Sequence, residues 1–159
     1  MEKFTFFWQK FSPFSHWYKS NFTIDNIDFN CGEQAMMYYK SILFNDSVIA
    51  DEVLKETDPS QHKKLGREVK NFNSVIWDKH KLDIVYKINK AKFSQNPKLL
   101  KALLDTKGTT LAEASPYDIV WGIGYEKDHP NAKDRTKWRG QNLLGEILTK
   151  VRNDLEATK

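Results

Sequence analysis

The period of apolar positions changes several times along this chain. "FTFFW" (Phe4 to Trp8) and "FTIDNIDFN" (Phe22 to Asn30) are short runs of aromatic and β-branched residues. They predict short strands, with Asp25-Asn26 as a hairpin turn between two apolar runs. From Cys31 to Phe44, Met36, Met37, Lys40, Leu43 and Phe44 return at helical spacing, and "NDS" ends that run and caps a helix from Val48 to Lys55. Thr57 or Asp58, followed by Pro59, opens another helix. Val75, Trp77, Leu82, Val85, Tyr86, Ile88 and Phe93 trace a longer one, which ends before Asn96-Pro97 because the residue ahead of proline resists the α region. "PKLLKALLDT" is the next, stopped by Gly108, and Leu143, Leu144, Ile147, Leu148 and Val151 stripe a final amphipathic helix. Leu111 to Gly124, "LAEASPYDIVWGIG", fits neither period and is expected to be irregular. These elements predict an α+β fold, one compact and mainly helical domain over residues 1–159 with a few short strands.

Composition narrows the function without choosing it. A hydrophobic share of 40% and a charged share of 29% are those of a globular protein. The net charge of +4 favours anionic partners, but lysines and acids are interleaved with no long basic tract. Cys31 is the one cysteine, which rules out an intrachain disulfide and a Cys-rich zinc site. The apolar stretch near the N-terminus is too short for a signal-peptide core or a membrane span, so a cytoplasmic protein without membrane contact is expected. His16, His62, His80 and His129 have no helical i, i+4 pairing, and no metal or cofactor is expected. "GIGYEK" carries Lys127 where a dinucleotide fingerprint needs its third glycine, and neither a Walker sequence nor a Gly-x-Ser-x-Gly elbow occurs.

Four segments carry candidate chemistry. On a helix, Glu33, Met36, Met37 and Lys40 form one stripe with an acid and a base separated by about 10 Å of axis, a spacing that flanks a small ligand. The same spacing suits two side chains that edge a core stripe and reach solvent. Most lysines near a helix end are solvated, but Lys92 lies seven residues after Val85, on or beside the buried face of the long helix, where a partly buried lysine loses its proton more easily and can act as a nucleophile. The irregular stretch offers Glu113 and Asp118 with Trp121 and Gly122, either as the lining of a site or as a surface turn with solvated acids. "KWRGQN" sets Trp138, Arg139, Gly140, Gln141 and Asn142 ahead of a helix, either as a phosphate seat of free amides and a guanidinium or as a helix capped by Asn142.

Taken together, these segments resemble the NADAR domain (YbiA-like N-glycosidase) family. The resemblance runs through Phe11 to Phe14, "FTIDN", Glu33 and Lys40 of "GEQAMMYYK", "LGREV", Trp77, "AKFSQNP", "LLDT", "LAEAS", "YDIVWGIG" and "RGQNLLGEILTKVR". Two positions depart from the family pattern. Phe14-Ser15-His16-Trp17 stands where Leu/Phe-Ser-Asn-Phe is often found, and Thr106-Lys107-Gly108 replaces Thr-Gly.

The resemblance implies hydrolysis of an N-glycosidic bond on a ribose without metal or cofactor. The expected substrate is an ADP-ribosylated guanine nucleotide or nucleic acid. The alternatives are early phosphorylated ribosylamine intermediates of riboflavin biosynthesis, or a module that binds ADP-ribose or NAD without cleaving it. In that reading Lys92, Glu33, Glu113 and Asp118 are catalytic, with Lys92 attacking or trapping the sugar at C1 and the carboxylates moving protons. Lys40, Trp121, Gly122, Trp138, Arg139, Gly140 and Asn142 contact the substrate. The two tryptophans stack on a base, and Arg139 holds a pyrophosphate with the Gly140-Gln141-Asn142 amides.

Overall fold

A computed structural model describes residues 1–158. Its strands are β1 (Phe4–Phe7), β2 (Phe22–Ile24), β3 (Ile27–Phe29) and β4 (Thr110–Glu113). Its α-helices are α1 (Gly32–Leu43), α2 (Ser47–Lys55), α3 (Pro59–Arg67), α4 (Ser74–Ser94), α5 (Pro97–Leu104) and α6 (Leu143–Ala157). About half of the chain is helical and the strands are short, the expected α+β class. The chain forms two compact units, one of His16–Asn96 and one of Met1–Ser15 with the chain from Pro97 onward.

In the unit His16–Asn96, β2 and β3 pair as an antiparallel hairpin. Asp25 and Asn26 at its turn have φ of 52° and 64°, the left-handed pair that tight hairpins demand and that Asp and Asn tolerate. Asp46 caps α2 by accepting from the Ile49 amide at 3.1 Å, and Asp58 caps α3 by accepting from the Ser60 amide at 2.9 Å. The buried Gln34 of α1 donates to the Val53 and Glu56 carbonyls and accepts from the Asn30 amide, so one side chain fastens α1 to the end of α2. At the far end of α4, the Gln95 side chain pairs with both backbone groups of Thr23 at 2.8 Å. Asn96 donates to the Lys92 carbonyl at 2.7 Å and to the Asn21 carbonyl at 3.0 Å. The last turn of α4, which carries Lys92, is thereby pinned beside the hairpin.

In the other unit β1 pairs with β4 in parallel, Phe4 opposite Thr110 and Phe7 opposite Glu113. This corrects the expectation that Leu111 to Gly124 is irregular throughout, since its first three residues are strand. Leu111 and Ala112 are both fully buried although they point to opposite faces, so the strand has no apolar-polar alternation to read. Helix α6 packs on β4, with the Leu111 amide donating to Thr149 Oγ1 at 2.9 Å. From Ala114 to Gly124 the chain is irregular, as expected. A cluster of Ala112, Ala114, Ile123 and Ala132 is closed by Phe4, Phe6, Tyr125 and Trp138. Buried Arg152 of α6 donates to the carbonyls of Thr106 and Thr109, tying α6 to the turn before β4.

Candidate active site

A polar cluster is buried in the unit His16–Asn96. Helix α4 presents Val85, Ile88, Asn89, Lys92 and Phe93 on its buried face, the i, i+3, i+4, i+7, i+8 set of a helix stripe. Two polar residues on this face are therefore taken out of water. Lys92 has 0% exposure, whereas a lysine ordinarily carries its ammonium out to solvent along its stem. Burial pushes its pKa down to about 7. A large fraction of its amine is thus uncharged near neutrality and able to attack carbon. Its Nζ lies 5.0 Å from the ring centre of Phe93 and 5.8 Å from that of Tyr18.

His16 faces the same cluster. Burial pushes its pKa down to about 3, and the charge of Lys92 pushes in the same direction, so the imidazole is neutral at physiological pH. Its Nε2 lies 3.0 Å from Asn89 Nδ2, and the same Nδ2 donates to the Val85 carbonyl at 2.9 Å. That carbonyl is an acceptor only, so the amide nitrogen is correctly placed and Nε2 of His16 accepts. The proton of His16 then sits on Nδ1. The His16 ring packs onto the start of α1, where a Cβ on Gly32 would meet it at 2.7 Å, so glycine is required for the approach. The His16 carbonyl accepts from the Glu33 amide at 2.9 Å.

Glu33 and Lys40 occupy the two ends of α1, as the stripe predicted. Glu33 is buried in the first turn, and its charge is felt both by Cys31 and by Lys40. Lys40 is half-buried. It donates to the Gly66 carbonyl at 2.8 Å and lies against the rings of Phe72 and Trp77 at 4.6 and 5.8 Å, and burial lowers its pKa. Cys31, at the cap position of α1, has its Sγ 3.7 Å from Nδ1 of His62. Nε2 of His62 donates to the Glu56 carbonyl at 2.7 Å, which leaves Nδ1 to accept from the thiol. Burial pushes that thiol up to about 11, so Cys31 stays protonated and acts as a small buried donor, not as a nucleophile.

The second unit places the remaining predicted residues in a different way. The backbone of Glu113, the last residue of β4, accepts from the Ile123 amide at 2.8 Å and donates to Asn142 Oδ1 at 3.0 Å. Asp118 Oδ1 accepts from the amides of Val120 and Trp121 at 2.9 and 2.8 Å, so this carboxylate organises its own turn. The amides of Gly140, Gln141 and Asn142 donate to the carbonyls of Ile123, Ile119 and Gly122, and those of Leu143 and Leu144 to Val120 and Trp121. The expected seat of free amides ahead of α6 is therefore absent, because the preceding loop already satisfies them. Gly140 is forced by this docking, since a Cβ there would lie 2.1 Å from the Gly122 carbonyl oxygen. Capping by Asn142 is also corrected: Asn142 is left-handed, with φ of 53°, and its side chain turns away from its own helix to β4.

Trp138, partly buried, packs its ring on Phe4 at 5.0 Å between centres and gives its Nε1 proton to the Ala132 carbonyl at 2.8 Å, so it takes part in the packing of this unit. The Arg139 guanidinium lies 4.4 Å from the Tyr125 ring centre and donates to the Gly124 carbonyl. Trp121 and Gly122 are partly buried and buried, respectively, and their carbonyls receive α6.

Sequence reasoning missed the pairing of His16 with Asn89. An interior asparagine on the buried face of a long helix is a cost that needs a partner, and that was the available signal.

Comparison with known proteins adds the following. The NADAR domain family profile matches residues 6–156. A protein of Acanthamoeba polyphaga mimivirus named as an N-glycosidase is 42% identical over 146 residues, covering 89% of this chain and 86% of that protein. A chloroplastic riboflavin biosynthesis protein of Zea mays is 33% identical over 69% of this chain, which corresponds to 16% of its own length. The NMR structure of the E. coli protein YbiA superposes with a TM-score of 0.81 at 23% identity, covering 99% of this chain and 88% of that one.

Proposed function

The chain belongs to the NADAR domain family, and from that membership we propose that it is an N-glycosidase that hydrolyses the bond between a ribosyl C1 and a nitrogenous base, removing ADP-ribose from guanine in nucleic acid. The observation that carries this reading is the buried Lys92 amine, close to neutral pKa, in one cluster with His16 and in the same unit as the buried Glu33. Breaking an N-glycosidic bond leaves positive charge at C1 and electrons on the departing base. A neutral amine captures the first, and a carboxyl group supplies the proton that the second requires.

The steps follow from those two groups. Lys92 Nζ bonds to C1 as the C1–N bond breaks, and the base leaves with the bonding pair and takes a proton. Loss of the ammonium proton from the adduct and opening of the sugar ring give an imine between Nζ and C1. Water adds to that imine and returns the free amine and an aldehyde sugar. Glu33, a buried carboxylate in the first turn of α1, is the group we assign to support the cationic stage. Because burial leaves much of the amine uncharged near neutrality, no separate strong base is needed to activate it.

A second reading is favoured by the relatives named for riboflavin biosynthesis: the same amine and carboxylate act on a phosphorylated ribosylamine. A panel tests the choice. ADP-ribosylated guanine oligonucleotides and phosphorylated pyrimidine ribosylamines are incubated with the protein, and products are read by mass. Release of ADP-ribose with restoration of the unmodified oligonucleotide supports the principal reading. Cleavage of the ribosylamines alone selects the second, and binding of ADP-ribose without any cleavage overturns both.

A further inference from the structure

Asn89 is the polar residue of the cluster whose bonding is incomplete. Both protons of its amide are used, one by the Val85 carbonyl and one by His16 Nε2. Its Oδ1 is buried and has no hydrogen-bond donor among the described residues, although Asn89 has 0% exposure. An acceptor left in that state opposes folding, because it has given up its bonds to water without replacing them. It persists because the groups that hold the amide leave it no freedom to turn. The helix carbonyl of Val85 fixes one proton, and His16 is itself wedged against Gly32 and joined through its carbonyl to the Glu33 amide. Asn89 lies three residues before Lys92 on the buried face of α4, less than one turn away.

A buried acceptor without a donor, three residues from a buried amine on the same helix face, is a group that a hydroxyl-bearing ligand completes. Phosphate is the wrong partner, since its oxygens have no proton to give to a carbonyl-type oxygen. A hydroxyl on the carbon next to the reacting one is the right partner. We propose that Asn89 contacts the substrate, its Oδ1 accepting a hydrogen bond from a hydroxyl of the ribosyl group, and that His16 is the positioning residue that orients it. This deepens the glycosidic reading above and rests on it. The imidazole acts as an acceptor for the Asn89 amide.

The test uses the free sugar in place of a whole substrate. Ribose 5-phosphate, 2-deoxyribose 5-phosphate and 3-deoxyribose 5-phosphate are each incubated with the protein and cyanoborohydride. The Lys92 amine adds to the C1 aldehyde, water leaves, and hydride reduces the imine to a secondary amine that is counted by peptide mass. Wild-type protein is expected to trap ribose 5-phosphate at least about tenfold faster than one of the deoxy sugars, after normalising to trapping by N-acetyl-lysine, the penalty for leaving a buried polar group unpaired. Asn89→Leu is expected to bring that ratio to within about twofold of the N-acetyl-lysine value, and His16→Phe to reduce it partly.

A ratio is insensitive to a general loss of fold or of amine reactivity, which slows all three sugars together. An Asn89→Leu protein that keeps the wild-type ratio overturns the assignment. So does the absence of any Lys92 adduct in folded wild-type protein. The N-glycosidase reading is judged separately, by base release from the ADP-ribosylated oligonucleotide.

Discussion

Asn142 Oδ1 accepts a hydrogen bond from the Glu113 amide at 3.0 Å, and the same side chain donates through Nδ2 to the Leu111 carbonyl at 3.0 Å. One buried amide thus completes the free edge of β4 from the start of α6, as a neighbouring strand would. Asn142→Leu removes both bonds, leaves two buried backbone groups unpaired and places a branched side chain at a positive φ. The expected loss is about 2 to 4 kcal/mol of folding stability. Asn142→Asp keeps the acceptor but turns an anionic oxygen toward the Leu111 carbonyl. It is expected to lie between Asn142→Leu and wild type at low pH, where the carboxyl is protonated, and near Asn142→Leu at neutral pH. Urea titrations of the three proteins at two pH values make the comparison.

Two glycines separate crowding from backbone strain. A Cβ at Gly145 would lie 2.1 Å from the Leu111 carbonyl oxygen and within 2.6 Å of the Asn142 side-chain amide. Gly108 has φ of 88° with open space around it. Gly108→Ala is therefore expected to cost about 1 kcal/mol, the left-handed penalty alone. Gly145→Ala is expected to cost distinctly more, because α6 has to move off β4. Unfolding midpoints for both variants, measured under one set of conditions, check the order.

What was legible in the sequence followed from local physics. The helix starts were marked by Asp46, Asp58 and Pro59, the hairpin by Asp25-Asn26, and the burial of Lys92 by its place in a seven-residue helical interval. What was not legible depended on partners distant in the chain. Strand β4 lacks alternation because Leu111 and Ala112 are buried on both faces, α6 packing on the strand and Ala112 joining the cluster of Ala114, Ile123 and Ala132. The amides of residues 140–142 looked available because a sequence does not show which carbonyls will meet them. The packing of Trp138 with Phe4, Phe6 and Tyr125 against one cluster joins residues from distant parts of the chain and leaves no local pattern. The pairing of His16 with Asn89 spans 73 positions and has no local pattern at all.

The single cysteine gives a prediction about reactivity. Cys31 is fully buried, donates to His62 and has its thiol pushed up to about 11 by burial. Thiolate chemistry at neutral pH is thus suppressed by both access and ionisation. Native protein at pH 7.5, a working value roughly one unit below the ordinary thiol range, is expected to leave Cys31 unmodified by iodoacetamide, and denatured protein to react fully. Activity, where it is measured, is expected to survive treatment of the native form. Rapid native alkylation with loss of activity would reassign Cys31 from a packing donor to a reactive group.

The depressed pKa of Lys92 makes both activity and stability depend on pH, with the same sign. Its ordinary value is 10.5 and its folded value is about 7. Between those values the unfolded chain holds one proton more than the folded chain, so raising pH across that window favours the folded state, and lowering pH through about 7 forces a charge into a buried site. The unfolding midpoint is expected to climb from neutral pH toward pH 9, a working point inside that roughly three-unit window, and to climb less in Lys92→Met, which has nothing to titrate. The value of kcat/KM is expected to rise with pH through the same folded pKa as the attacking amine is freed. Lys92→Arg, charged at every accessible pH, is expected to be inactive and less stable than Lys92→Met, since its guanidinium has to be buried as a cation. A flat pH profile for kcat/KM across neutrality, alongside a stability profile that titrates as described, would keep Lys92 as a buried amine but remove it from the reaction.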